Sequence, residues 1–436
     1  MSDPATAKPR FPPSIKFLAW NEAAERFSYY GMASILSIYM RDHLGLAEHE
    51  ATAWYQVFVA AVYLTPLAGA ILSDVLWGRY RTILWLSLGY VAGHATLALW
   101  ETGWGLAAGL GLIAAGAGGI KPCASAFAGD QLPPGDDTLL QRLYNLYYWM
   151  INIGSTVGTI VIPLLLVTAG PSTAFGVPGL AMAAALLIFW IGRSTYKHVP
   201  PAIDRSAAPG PADGDPSWRV VLRIIAVFLP VSTFWALFFQ YGSAWTFQAD
   251  AMARHVLGVE LQAAQVTTLN AISVLTLIPV FSLWIYPAVE RLGVKATALR
   301  KMSVGMFVAV LSFVAAALVE AALQHAKATG AAPPHVAWQV PQYVLMAAAE
   351  VLVSVTALEF AFAQAPARLK SVIMGIWYLT IASGSITTAI VARLNRYQGV
   401  AYYAFFAELM LGGAVLFALV AWWYPVRRAA AAQPAA

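Results

Sequence analysis

The sequence predicts an all-α membrane protein of twelve transmembrane helices arranged as two six-helix bundles, on three observations. Of its 436 residues 60% are hydrophobic and only 11% charged, too few polar side chains to cover a soluble globule of this size. A bilayer core of about 30 Å takes roughly 20 mostly apolar residues per helical crossing. Such stretches run near 15–40, 52–74, 80–100, 104–129, 140–168, 176–196, 219–247, 264–289, 297–323, 337–364, 371–392 and 401–425. The third observation is a polar segment at 198–218, rich in Pro, Asp, Gly and Ala, a composition that forms no packed core. Six spans precede it and six come after, so it reads as a cytoplasmic linker between an N-terminal bundle at 1–197 and a C-terminal bundle at 219–436.

A barrel is the other way to satisfy every backbone group in hydrocarbon, but its strands are about 10 residues long and alternate apolar with polar. Runs such as Ala181–Ile191 show no alternation. The first 14 residues are polar and carry proline, and the span beginning at Ile15 is too long and too charged for a cleavable signal peptide. Basic loops stay in the cytoplasm. With both termini inside, the inner side receives most Lys and Arg, while the outer side keeps Arg41, Arg254, Lys327, Arg393 and Arg396. This explains the net charge of +5 without any nucleic acid. Lone Cys123 falls in the fourth span and forms no internal disulfide.

Charges inside spans cost a few kcal/mol each on insertion scales and are therefore functional candidates. The first span holds Glu22, Glu25 and Arg26, and at 100° per residue these share one arc of about 140° with Tyr29 and Tyr30. Glu22 and Arg26 stand at i, i+4 with the acid first, the favourable order for an ion pair. Either the stripe locks helices together, or it lines a wet cavity where ions are handled. After the second span, Asp74, Gly78, Arg79 and Arg81 bracket a tight turn. It resembles the loop signature of the major facilitator superfamily, and it also reads as an ordinary positive-inside loop.

Lys121 comes after a glycine-rich stretch in the fourth span and requires a carboxylate or an anionic ligand to keep its proton there. The glycines lack the GxxxxGK[ST] spacing of a phosphate loop and read as helix packing. In the tenth span Glu350 and Glu359 are nine residues apart, about 13 Å along the axis, and composition does not choose between them. No HExxH, GxSxG, Walker sequence or Cys/His cluster is present, which argues against an enzyme, a metal site and a cofactor. A passive channel lacks its filter or its symmetric charged ring.

The run Trp20-Asn-Glu22-Ala-Ala-Glu25-Arg26-Phe27-Ser-Tyr29-Tyr30-Gly31 resembles the ExxERFxYYG signature of the proton-coupled oligopeptide transporters, the peptide branch of the major facilitator superfamily. Further resemblances occur in order: Tyr63-Leu-Thr-Pro66, Gly118-Gly-Ile-Lys121-Pro122, Tyr147-Tyr-Trp-Met-Ile-Asn152-Ile-Gly-Ser155, Phe234-Trp235 through Gln240, Leu358-Glu359 through Pro366, and Trp377-Tyr-Leu-Thr380. The resemblance implies the major facilitator fold and a symporter that imports di- and tripeptides on the proton gradient, working as a monomer in the inner (cytoplasmic) membrane. It implies that Arg26, Tyr30 and Lys121 hold the peptide carboxylate, and that Asn152, Asn270 and Glu359 hold its ammonium. Tyr29, Tyr63, Trp235 and Trp377 would line side-chain pockets. Proton coupling would rest on Glu22, Glu25, Arg26 and Lys121, with protonation freeing the two bases for the peptide. Opposite charges at two ends measure a zwitterion, while apolar walls accept many side chains.

Two departures from the family pattern stand out. Phe239 occupies the place of a seventh-helix Asp, and Gln56 that of a second-helix His in the animal members. His94 has no motif around it and reads as a packing residue, so coupling falls to carboxylates. The same fold carrying nitrate or a plant-type metabolite is the nearest rival.

Overall fold

The computed structural model describes residues 11–133, 136–198, 217–357, 360 and 370–424. The chain divides into two compact units, one of Met1–Leu46 with Ala61–Asp204 and one of Ala47–Ala60 with Arg205–Ala436. Most of the 198–218 linker, together with Glu359, lies outside the described residues.

The first unit is built from α1 (Ser14–Asp42), the second half of α2 (Glu48–Ile71), α3 (Arg79–Leu99), α4 (Gly103–Asp130) and α5 (Asp137–Ile191). Each end has a local cause. Pro13 precedes α1; the Thr102 side chain accepts the Gly105 N–H at the start of α4 and Asp136 accepts that of Leu139 at the start of α5, these two each satisfying a donor the helix leaves open. After α2 the helix widens into a π-turn at Leu72–Trp77 and stops at Gly78, whose φ of 75° suits glycine. The sequence predicts separate spans at 140–168 and 176–196; helix runs on through both, broken at Gly170 (φ 81°, ψ 174°), with Pro171 next. Proline lacks the N–H that an unbroken helix would use.

Close approach explains the glycines. A Cβ at Gly154 would run into the Ala23 carbonyl, and one at Gly69 into the Gly118 carbonyl, so α1 lies against α5 and α2 against α4 at backbone distance. The core of this unit joins Ile15 and Leu18 of α1, Ile83 of α3, Phe127 of α4 and Leu139, Leu143 and Phe189 of α5. At the turn, Arg79 pairs with Asp130 at the end of α4, so the loop signature is engaged in an ion pair.

The second unit contains α6 (Ser217–Phe238), α7 (Ala244–Asp250), α8 (Thr268–Val280), α9 (Tyr286–Arg291), α10 (Ala298–Thr329), α11 (Val340–Glu350), α12 (Lys370–Leu394) and α13 (Val400–Trp423). π-turns at Phe281–Ile285 and Val351–Val355 continue α8 and α11. The first half of α2 belongs here: Glu50 pairs with Arg393 at 2.7 Å, and the Tyr55 ring occupies the space beside Gly242 that a side chain would fill. A short hairpin, His255–Val256 with Val259–Glu260, was not expected from hydropathy. Gln248, Gln339 and Gln342 form a buried amide chain, Gln339 and Gln342 both donating to Gln248 Oε1.

Among the described residues, ten helical stretches are long and apolar enough to cross a membrane. α1, with its three charges in mid-helix, is not one of them. Large apolar side chains such as Trp104, Leu180 and Trp422 are exposed, as lipid-facing residues are. The chain is a multi-pass helical membrane protein.

Candidate functional site

In the first unit the α1 stripe is buried. Glu22 is 3% and Glu25 1% exposed. The Arg26 Nε lies 2.7 Å from Glu22 Oε1 and 3.1 Å from Glu25 Oε2, so the i, i+4 pair expected from sequence forms and a second acid joins it. The peptide backbone cannot supply this neutralisation; only side chains, water or a guest can.

Lys121 of α4 completes the cluster. Its ammonium stands over the faces of two rings, 4.3 Å from the centroid of Tyr29 and 4.5 Å from that of Tyr63. Among the described residues no carboxylate lies within ion-pair distance of it. Two ring quadrupoles thus hold a cation whose charge is not quenched, an arrangement contributing roughly 2 kcal/mol or more when desolvated. Two acids and two bases stand in one buried patch, with Lys121 the base that no described carboxylate pairs directly. Tyr30 meets Tyr29 edge to face at 5.2 Å. The pocket expectation for Tyr29 and Tyr63 therefore acquires a second content: both rings carry the lysine.

Asn152 of α5 gives its Nδ2 to the Tyr148 carbonyl at 2.7 Å, a back-bond within its own helix. His94 is buried, hydrogen-bonded to Ser28 at 2.9 Å and stacked on Tyr90, in keeping with a packing role.

In the second unit Trp235 and Trp377 meet edge to face at 5.6 Å, both buried. Phe239, in the place of the family's seventh-helix acid, stacks on Trp235 at 5.7 Å; the aromatic wall takes up the space. Asn270 donates its Nδ2 to Glu350 Oε2 at 3.3 Å, a pairing that sequence reasoning missed. Both are polar residues within apolar spans, which was a usable signal, but neither the spacing nor a motif linked them. Glu359 lies outside the described residues. A cavity of about 760 Å³ in this unit is lined by Glu48, Gln248, Glu320, Lys327 and Tyr402 among others and includes none of the expected site residues. Among the described residues no group of three or more His, Cys, Asp or Glu is placed to hold a metal ion.

A model of the POT family matches residues 80–208 and 216–404. The chain belongs to the POT family, the proton-coupled oligopeptide transporters. This POT protein is 35% identical over 368 residues to rabbit (Oryctolagus cuniculus) "Solute carrier family 15 member 1", covering 71% of this chain and 52% of the relative. It is 35% identical over 371 residues to "Peptide transporter family 1" of Drosophila melanogaster, covering 74% and 50%. The chain spans about half the length of the curated relatives it matches. A crystal structure of an auto-inhibited POT family peptide transporter superposes with a TM-score of 0.86 at 32% identity, covering 97% of this chain and 99% of that one. These relatives carry the names of transporters, not of enzymes.

Proposed function

We propose that the chain is a secondary active symporter that imports di- and tripeptides together with protons. Twelve helices in two bundles, 1–197 and 219–436, would alternate access to the two sides of an inner (cytoplasmic) membrane with both termini inside. The monomer would suffice. The observation that carries the reading is the buried Glu22–Arg26–Glu25 cluster beside the ring-held Lys121, in a chain whose relatives include named peptide transporters.

In this reading a proton from the outer side neutralises Glu22 or Glu25, which releases Arg26 from its internal partner. Arg26 and Lys121, with Tyr30, then take the peptide carboxylate. Asn152, Asn270 and Glu359 receive the ammonium, and Trp235, Trp377, Tyr29 and Tyr63 wall the side chains. A guest that neutralises both sets of charges lowers the energy of the closed state relative to the open ones. Inward release and deprotonation restore the internal pairs. The driving force is about 2.3 kcal/mol per charge per 100 mV, plus any pH difference. Orientation rests on the excess of Lys and Arg in the loops assigned inside.

The test is counterflow. Proteoliposomes loaded with unlabelled dialanine should take up labelled dialanine, and external di- and tripeptides should compete while nitrate does not. Competition by nitrate and indifference to peptides would overturn the substrate class.

A further inference from the structure

The cavity of about 760 Å³ in the second unit has no part in the peptide-and-proton scheme. Its wall is made by the start of α2, by α7, by the end of α10 and by the turn from α12 to α13, on the side that the Lys and Arg bias assigns to the outside. Thr52, Phe247, Gln248 and Tyr403 of this wall are buried, whereas Glu48, Gln324, Lys327 and Gln398 are exposed. The cavity thus has a floor and a mouth.

Glu320 is a partly buried acid of this wall, and its carboxylate is held from two sides. Oε2 accepts the Gln248 Nε2 at 3.2 Å and Oε1 the Gln324 Nε2 at 3.4 Å. Gln248 is itself fixed, because Gln339 and Gln342 both donate to its Oε1. Gln324 fits against Gly399, where a Cβ would run into its Nε2 and where φ is 55°; only glycine leaves room and takes that backbone readily. Amide donors orient a carboxylate without cancelling its charge. Among the described residues no base is paired with Glu320, and no acid with Lys327.

These two unpaired charges stand on one helix, α10, seven residues apart. That is two turns within about 20°, so they share a face and lie about 10.5 Å apart along the axis. An extended dipeptide has its end groups about 6 Å apart, and a charged hydrogen bond of about 2.8 Å at each end brings this to about 12 Å. A free amino acid, with ends about 2.5 Å apart, reaches about 8 Å, and a tripeptide about 15 Å, by the same sum. The dipeptide is the nearest fit. We propose that the cavity is a second peptide site, which takes a dipeptide with its ammonium on Glu320 and its carboxylate on Lys327. Phe247, Tyr402 and Leu323 of the wall offer apolar surface to side chains of many shapes. Glu48 also lines the cavity, so carboxylates outnumber the lysine and the ammonium is the better-held end.

The inference takes its ligand from the peptide reading and is tested apart from it. Ala331 is exposed and lines the cavity, and Cys123 is buried, so Ala331→Cys carries an environment-sensitive fluorophore at the mouth of the purified full chain. Dialanine should change its emission saturably, with N-acetyl-dialanine weakened more than alanyl-alaninamide. Glu320→Gln should weaken dialanine at this reporter about tenfold, and Lys327→Gln, at the solvent-exposed mouth, about threefold. Lys121→Gln, in the first unit, should leave the reporter's affinity within twofold. If Glu320→Gln does not fold, Lys327→Gln carries the test alone. An affinity unmoved by either cavity variant, or a signal abolished by Lys121→Gln, would overturn the second site. Silence of the reporter in a protein that performs dialanine counterflow would overturn it and leave the transport reading standing. A saturable signal without counterflow would overturn the transport reading and leave the site.

Discussion

Replacing Glu22 by Gln isolates the competition on which the scheme turns. In the resting arrangement Glu22 occupies Arg26 at 2.7 Å, and a peptide carboxylate must displace it. A hydrogen bond to a charged group contributes roughly 1.5–3 kcal/mol net, and neutralising one partner removes about half of that. The variant therefore lowers the cost of freeing Arg26 by about 0.8–1.5 kcal/mol, up to about tenfold in affinity. Glu25 still holds the guanidinium at 3.1 Å, which is why the gain is not larger. Dialanine should bind Glu22→Gln about tenfold more tightly than wild type near neutral pH. Counterflow should persist while accumulation driven by a proton gradient is lost. Isothermal titration in detergent and uptake in proteoliposomes read the two effects. Full gradient-driven accumulation by the variant, or weaker binding of dialanine, would refute the competition.

Lys121→Gln should weaken dialanine about 10- to 100-fold through loss of a charged hydrogen bond, and weaken alanyl-alaninamide less than threefold; equal losses would place the lysine away from the carboxylate. Glu359→Ala should weaken dipeptides far more than their N-blocked analogues in the same binding assay. Gly154→Ala drives a methyl into the Ala23 carbonyl and should destabilise the α1–α5 contact by about 1–3 kcal/mol, lowering the thermal midpoint in detergent; Gly111→Ala, with open space at its Cβ, is the control that should not. Asp130→Asn and Arg79→Gln should each lower that midpoint slightly, by about 1 kcal/mol for a partly buried pair, with the double variant no worse than either single one.

How much of this was legible in the sequence depended on the range of the interaction. The α1 stripe was readable because helical periodicity alone puts Glu22, Glu25 and Arg26 on one arc, and the ion pair is local. The glycines before Lys121 read correctly as close packing, since a missing Cβ has one structural use in hydrocarbon. Lys121 is read from sequence as needing a carboxylate or an anionic ligand, and the two tyrosine faces beneath its ammonium are not foreseen; Tyr63 lies 58 positions away in sequence, and no local pattern reports a contact between α2 and α4. The Asn270–Glu350 bond was missed for the same reason, 80 residues separating its partners. The place of Ala47–Ala60 with the second unit also lay beyond reach, because hydropathy marks a helix but not which neighbours its ends choose. The seventh-helix substitution was visible as Phe239, but that the ring would stack on Trp235 rests on packing, not on the motif.

The central claim is that buried carboxylates exchange protons as peptide moves. Proteoliposomes carrying a trapped pH indicator, with no imposed pH gradient and an inside-negative potential, test it most directly. Adding dialanine should acidify the lumen as labelled peptide accumulates, and an uncoupler should abolish the accumulation. Dialanine uptake that reaches the same level with the uncoupler present and leaves the lumenal pH unmoved would contradict the account.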